Sequence, residues 1–109
     1  MTNADGSSVT ELTPSGASVG NYSPSGSDFN YPFGIAIDGA GNVWVTNEIG
    51  NTVTELSSDG STAANYDPSG ANFDQPYCVA IDAIGDPWVT NEGSNTVTEL
   101  NSSGALVGN

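Results

Sequence analysis

The sequence predicts an all-β fold, a β-propeller whose blades are four antiparallel strands repeated every 44 residues, with about 2.5 blades in 109 residues. The first observation is the repeat itself: a shift of 44 pairs residues 1–65 with residues 45–109, and 33 of those 65 pairs are identical. The second is a set of short runs in which apolar and polar residues alternate, the pattern of half-buried strands. The third is that glycine-rich turns separate these runs.

One repeat contains four predicted strands. FGIAID at residues 33–38 is the first, and the turn DGAGN joins it to the second, NVWVTN at 42–47. TVTEL at 52–56 is the third, and STAANY at 61–66 is a weaker fourth strand of small residues. The linker at 67–76 leads to the next repeat, and tight turns between strands favour antiparallel pairing throughout.

The phase of the repeat predicts one incomplete blade and two complete ones. The first three residues, MTN, align with VTN inside a second strand, so residues 1–31 hold the end of strand two, strands three and four, and a linker. Residues 32–75 and 76–109 are the two complete blades. Since closed propellers contain about four to eight blades, one chain does not close a ring. Either several chains associate into a ring or an open stack, or the chain is a segment of a longer array.

Apolar residues at matching positions of the repeats predict the core between blades. The two tryptophans, Trp44 and Trp88, and the two isoleucines, Ile37 and Ile81, are each 44 residues apart. We expect all four to pack between neighbouring sheets. Cys78, which replaces Gly34 of the preceding repeat, is expected to be a small buried residue, because one cysteine forms no internal disulfide.

The charge balance excludes several classes of partner. The chain has 13 acidic residues and no Lys, Arg or His, which gives a net charge of −13. Such a polyanion has no side chains to neutralise phosphates, so nucleic acid is excluded as a partner, and no run approaches the ~20 apolar residues needed for membrane insertion. The start of the chain lacks the apolar core of a signal peptide. The composition nevertheless favours a secreted or cell-surface bacterial protein, and the expected partner is a further copy of the chain.

Catalysis is disfavoured by the same composition. Without His or Lys, the carboxylates are the only acid–base side chains, and there is no ordinary base for a serine nucleophile. We therefore expect a protein that is not an enzyme, with no cofactor except a calcium ion if one binds.

A candidate site lies at one end of the predicted sheets, where the turn between strands two and three meets the loop before strand one. Carboxylate and amide oxygens are ligands that suit calcium, so this end is predicted to bind a polar ligand or a divalent cation, with Glu48 and Glu92 as metal ligands. The alternative is that the asparagines fix the turns while the glutamates face solvent. The predicted site residues are Asn47, Glu48, Asn91, Glu92, Tyr31 and Gln75.

Other polar residues are expected to have simpler roles. Asp38 and Asp82 open the turns after the first strands, where a carboxylate stabilises the turn. Glu11, Glu55 and Glu99 are expected on a solvated face. The triplets that begin at residues 21 and 101 fit the N-glycosylation pattern, so Asn21 and Asn101 are candidate glycosylation sites.

The segment PFGIAIDGAGNVWVTNEIGNTVTELSSDG at residues 32–60 resembles the blades of NHL-repeat propellers and of the related virginiamycin B lyase-like and regucalcin-like propellers. The resemblance covers essentially the whole chain and implies the fold more strongly than an activity. The lyases of this group use a histidine as general base, a role that no residue here can take. A regucalcin-like metal site would need a Glu with Asn and Asp partners, which Glu48 and Glu92 with Asn47 and Asn91 resemble in part.

These observations lead to one main expectation, with three alternatives. The chain is expected to be a non-enzymatic propeller module whose copies self-associate to complete a ring or a repeating array. The first alternative is a fragment of a larger NHL-like propeller that binds a polar ligand or divalent cation at its channel mouth. An extracellular fibre or surface subunit is another, and an enzyme of the lyase or lactonase kind ranks last.

Overall fold

The protein is all-β, and the computed structural model describes all of residues 1–109. Eleven strands form three antiparallel sheets, with strand orders β1-β2-β3, β4-β5-β6-β7 and β8-β9-β10-β11, called here the first, second and third sheets. The predicted blades of four antiparallel strands are confirmed, and no helix could cross a membrane. The strands are β1 (Thr2–Asn3), β2 (Ser8–Leu12), β3 (Ser18–Tyr22), β4 (Pro32–Ile37), β5 (Val43–Asn47), β6 (Thr52–Leu56), β7 (Ala63–Tyr66), β8 (Pro76–Ile81), β9 (Pro87–Asn91), β10 (Thr96–Leu100) and β11 (Leu106–Gly108).

The first sheet lacks an inner strand. Its β1 has two residues, which pair with Val9 and Ser8 of β2, whereas the second and third sheets begin with the six-residue strands β4 and β8. Pro32 and Pro76 start these inner strands, a position where a residue without an amide N–H is tolerated. The fold therefore consists of two complete blades and one blade without its inner strand.

The turn after each inner strand is organised by an aspartate, as predicted. Asp38 Oδ1 accepts the backbone N–H groups of Ala40 and Asn42, each at 2.9 Å, and its Oδ2 accepts the indole N–H of Trp44 at 3.1 Å. Partial burial acts to raise the pKa of Asp38, but these hydrogen bonds outweigh it and hold the pKa below its ordinary value. Asp82 accepts the same set of bonds in the third sheet.

Two apolar clusters form the core, one in each gap between neighbouring sheets. Side chains of the second sheet alternate between them, so that Val45 and Leu56 pack on the first sheet while Trp44 and Val53 pack on the third. The Trp44 ring stacks on Tyr66 with 5.5 Å between centroids. Burial of apolar surface contributes about 25 cal/mol per Å², so these two gaps supply the main stabilisation.

Two of the four predicted core residues are not in the core. Trp44 is fully buried and Ile81 packs half-buried against the same cluster, whereas Trp88 and Ile37 are exposed. Trp88 lies on the outer face of the third sheet, which no further sheet covers. Ile37 faces the part of the first sheet where the inner strand is missing. The expectation of a buried Cys78 is also wrong, because this thiol lies on the uncovered inner strand of the third sheet.

A threonine in each second strand ties one sheet to the next. Thr46 Oγ1 accepts the N–H of Gly34 and donates to the carbonyl of Tyr77, both at 2.8 Å. Thr2 Oγ1 donates to the Phe33 carbonyl at 2.8 Å in the same way. A Cβ on Gly34 would lie 2.4 Å from the Tyr77 carbonyl oxygen, so this close approach of β4 and β8 requires glycine.

Candidate functional site

Backbone hydrogen bonds join the predicted site residues at one end of the sheets. The N–H of Glu48 donates to the carbonyl of Tyr31, and that of Glu92 donates to the carbonyl of Gln75, both at 3.1 Å. The turn after each second strand therefore lies against the loop before each inner strand. Asn51 Oδ1 accepts the N–H of Gln75 at 2.9 Å and links the second sheet to the third.

Tyr31 and Gln75 have left-handed backbone conformations. Their φ angles are 57° and 51°, a region that L-residues other than Asn, Asp and Gly seldom occupy. This geometry aims both carbonyl oxygens at the glutamate N–H groups while both side chains remain exposed. Such strain costs of order 1–3 kcal/mol per residue, and the surrounding hydrogen bonds hold it in place.

The two asparagines point into the protein. Asn47 and Asn91 are buried, and the amide nitrogen of Asn47 donates to the hydroxyls of Thr52 and Thr54 at 2.9 Å. Asn91 donates in the same way to threonine hydroxyls of β10. The Oδ1 atom of each asparagine is buried and accepts no hydrogen bond within the chain. These side chains fix the turn between strands two and three, and their role in ligand binding stays a prediction.

An aromatic pair lies between the two glutamates. The rings of Phe33 and Tyr77 stack with 3.9 Å between centroids and an interplanar angle of 29°. Partial burial, followed by the negative charges of Glu92, Cys78 and Glu48, raises the pKa of the Tyr77 phenol. Both glutamates thus act electrostatically on one hydroxyl. Sequence reasoning missed this pair, although an aromatic residue follows the proline at matching positions of the two repeats.

The glutamates predicted as metal ligands do not belong to a cluster of three acidic residues. The one such cluster in the chain contains Asp82, Asp86 and Glu99, whose ligand atoms lie within 4.8 Å of one another. Asp82 already accepts three hydrogen bonds, and Asp86 Oδ1 accepts the N–H of Ser102 at 3.0 Å. The sequence gave no signal for this cluster, because Asn42 replaces Asp86 in the preceding repeat.

Two of the glutamates expected on a solvated face bind tyrosines. The hydroxyl of Tyr66 donates to half-buried Glu55 at 2.9 Å, and that of Tyr22 donates to Glu11 at 3.1 Å. These bonds raise the tyrosine pKa values, since phenolate formation next to a carboxylate is unfavourable. The bonds stabilise the outer part of each sheet.

The candidate glycosylation sites lie near the surface. Asn21 is exposed, and its Oδ1 accepts the hydroxyl of Thr10 at 3.1 Å. Asn101 is half-buried, and its Oδ1 accepts three bonds from Ser103 and Ala105 within the turn before β11. Glycosylation of either residue stays a prediction.

Comparison with known proteins identifies the fold as that of a propeller lyase. The chain superposes on a streptogramin B lyase with a TM-score of 0.76 and 23% identity over 92% of this chain and 32% of that one. It also superposes on virginiamycin B lyase from Staphylococcus aureus, seen as a catalytically inactive His-to-Ala variant with quinupristin (TM-score 0.80) and as a selenomethionine-substituted protein (TM-score 0.79). Both comparisons give 21% identity and cover 97% of this chain and 35% of the lyase.

The prediction of a propeller is confirmed by these structures. The chain spans about a third of the length of the lyases that it matches. No protein-family model matches the sequence, and no curated protein does.

Proposed function

We propose that this chain is a non-enzymatic propeller module whose copies associate head to tail, the third sheet of one against the first sheet of the next, to complete a ring or a repeating array. One observation carries the proposal: both outer sheet faces expose apolar side chains at positions that are buried inside the chain. On the first sheet, Met1 and Leu12 are 62% and 46% exposed, but their counterparts Val45 and Leu56 are 0% and 1% exposed.

The outer face of the third sheet shows the same contrast. Trp88 and Val97 are 42% and 48% exposed, whereas Trp44 and Val53 in the preceding repeat are fully buried. Large exposed apolar patches on soluble proteins mark interaction surfaces. The contact between the second and third sheets is a template for the contact between copies, because the residues on each side of it recur on the two outer faces.

The missing inner strand of the first sheet makes the two outer faces compatible. Gly34 is required where β8 lies against β4, and its counterpart on the third sheet is Cys78. A sheet with a complete inner strand would meet the Cys78 side chain if it packed on the third sheet as the third packs on the second. The first sheet of another copy has no strand at that position, so this collision does not arise.

The proposal of a non-enzymatic role rests on the side chains available. One of the matched structures is a lyase that replacement of a histidine made inactive, and this chain has no histidine. A role as a subunit of an extracellular fibre or surface layer would follow from an open array, and a secreted or cell-surface location remains a proposal from composition alone.

Native mass spectrometry and light scattering test the association. We expect oligomers at micromolar concentration that Trp88→Asp and Leu12→Asp each convert to monomers, since a charge in a buried apolar contact is strongly unfavourable. Ile84→Asp is the matched control, because Ile84 is 80% exposed in a turn and on neither outer face. A folded monomer of the unmodified chain at 100 micromolar would sink the proposal.

A polar-ligand or divalent-cation site at the Glu48 and Glu92 end is the second candidate. The observation that favours it is the convergence of both carboxylates on Tyr77, together with the unpartnered buried Oδ1 of Asn47 and Asn91. Calorimetric titration with calcium should give a heat signal that Glu48→Gln and Glu92→Gln reduce and Asp5→Asn leaves intact. Binding that survives the paired Gln substitutions would return both glutamates to a structural role.

A further inference from the structure

An apolar groove opens between the first and second sheets. Its volume is about 480 Å³, within the range of roughly 300–1,000 Å³ found for ligand pockets. Apolar side chains of both sheets provide most of the lining, and the only carboxylate, that of Glu11, already accepts the Tyr22 hydroxyl. The main lining residues are Val9, Leu12, Tyr22, Ile35, Ile37 and Leu56.

The groove has a filled counterpart between the second and third sheets. A shift of 44 residues converts Tyr22 to Tyr66, Ile37 to Ile81 and Leu56 to Leu100. Those three residues surround the indole of Trp44, which stacks on Tyr66 and is fully buried. The residue that would correspond to Trp44 in the first sheet would directly precede Met1. The groove therefore has the walls of a tryptophan site without its tryptophan.

The floor beneath each tyrosine is also the same in the two places. A Cβ on Gly60 would lie 2.3 Å from the Tyr22 ring, and one on Gly104 would lie 2.1 Å from the Tyr66 ring. Both glycines have positive φ, and both tyrosine hydroxyls donate to a glutamate of the adjacent strand. Tyr22 is thus held in the orientation that Tyr66 uses to stack on an indole.

Unpaired strand edges border the groove. Met1 pairs with Thr10, but Glu11 and Leu12 have β3 on one side and no strand on the other. Their counterparts Glu55 and Leu56 pair with Trp44 and Val43. The free edge of β1 likewise lacks the inner strand that β4 supplies to β5. Backbone N–H and C=O groups on such edges accept an additional strand.

We propose that this groove is a binding site for a tryptophan-bearing β-hairpin of another polypeptide, of the type formed by residues 32–44 of this chain. The first strand of the hairpin pairs with β1, the end of its second strand pairs with Glu11 and Leu12, and its indole stacks on Tyr22 and covers Ile37. The bound hairpin extends an interface already present, because the groove is continuous with the buried cluster of Val9, Val45 and Leu56.

The chemistry of this hairpin suits the groove. Its single acidic residue, Asp38, accepts the indole N–H within the hairpin at 3.1 Å, so the tryptophan brings its own hydrogen-bond partner into an apolar site. A free indole would leave its N–H unsatisfied there. The site uses neither outer face of the chain, so it stands or fails separately from head-to-tail association.

Titration of the full chain with an amidated peptide of residues 32–44 tests the site. We expect one peptide to bind per chain, with amide chemical-shift changes centred on Tyr22, Ile35 and Ile37. A peptide with Trp44→Ala should bind about tenfold more weakly or worse, as expected when a buried aromatic anchor is removed. In the protein, Ile37→Asp should weaken binding to a similar extent.

Two protein variants serve as controls for the location of the site. Ile49 is 61% exposed, close to the 58% of Ile37, but it lies outside the groove, so Ile49→Asp should leave peptide binding unchanged. Val97→Asp on the outer face of the third sheet should also have no effect. Binding abolished by Val97→Asp and unaffected by Ile37→Asp would overturn the proposal, as would saturable binding of free indole with no preference for the hairpin.

A covalent version removes the dependence on peptide folding. In an extended chain, a copy of residues 32–44 directly precedes Met1, which places its tryptophan at the missing position. We expect this extension to raise the Tm by about 5 °C or more relative to an extension with alanine in place of that tryptophan. Equal melting temperatures for the two extensions, together with no peptide-induced shifts in the groove, would show that no hairpin site exists.

Discussion

Trp44 and Trp88 make the same hydrogen bond in different surroundings. The indole N–H of Trp44 donates to Asp38 and that of Trp88 donates to Asp82, both at 3.1 Å, yet Trp44 is fully buried and Trp88 is 42% exposed. The local sequence therefore sets the rotamer and its hydrogen bond, and the neighbouring sheet sets the burial. This pair separates the contribution of packing from that of local structure.

We predict unequal costs for truncating the two tryptophans. Trp44→Ala should lower the free energy of unfolding by about 3–5 kcal/mol, the usual cost of removing a buried large aromatic, whereas Trp88→Ala should cost less than about 1.5 kcal/mol in the monomer. Urea denaturation followed by circular dichroism at low protein concentration measures both. Similar losses in the two variants would mean that Trp44 contributes mainly through its bond to Asp38.

We predict that Gly34→Ala destabilises the contact between the second and third sheets. The new Cβ would lie 2.4 Å from the Tyr77 carbonyl oxygen, so the sheets must separate and the hydrogen bonds of Thr46 must lengthen. A loss of about 1–3 kcal/mol is the usual cost of overpacking. Gly39→Ala is the control, because nothing lies within 4 Å of the Cβ position there. Equal thermal melts of both variants would contradict the close approach of β4 and β8.

We predict that Tyr66 ionises last in an alkaline titration. Burial, followed by the hydrogen bond to Glu55, raises the pKa of Tyr66 from 10.0 to about 12. Because the folded pKa is raised, this contribution to stability is complete below pH 10 and is lost as the pH rises through about 12. Phenolate absorbance, compared with that of Tyr66→Phe, assigns the transition.

The cause of this shift has its own control. Glu55→Gln should lower the pKa of Tyr66, since the carboxylate charge is removed, while Glu99→Gln should leave it unchanged because Glu99 bonds no tyrosine. An unaltered Tyr66 transition in Glu55→Gln would leave burial as the sole cause.

We predict that salt strengthens association between copies. Each chain has a net charge of −13 and no basic side chain, so the approach of two copies is opposed by repulsion over their whole surfaces. The Debye length falls from about 10 Å at 0.1 M salt to about 3 Å at 1 M, which screens most of this repulsion. Sedimentation at 0.05 and 0.5 M sodium chloride should show more oligomer at the higher concentration. A decrease would indicate attraction between charges, for which the chain offers no cationic side chain.

The repeat in the sequence was sufficient to predict the strands, the sheet order and the aspartate turns, because these depend on residues close together in one blade. It could not predict that Trp88 and Ile37 are exposed, since the same local sequence serves a buried and an uncovered position. The stack of Phe33 on Tyr77 was missed for a related reason: it joins two repeats across a gap. At the candidate site, the backbone contacts of Tyr31 and Gln75 follow from the strand ends, but the inward direction of Asn47 does not.

The threonine bonds between sheets all have one direction. Thr2 donates to a carbonyl of the second sheet and Thr46 to one of the third, while Thr90, their counterpart on β9, has no following sheet to which it could donate. The molecule is therefore polar along the order of its sheets, with a donor end and an acceptor end that differ chemically. Any assembly built through these ends would inherit that polarity: a ring would have a single sense of rotation, and a filament would grow by different chemistry at its two tips.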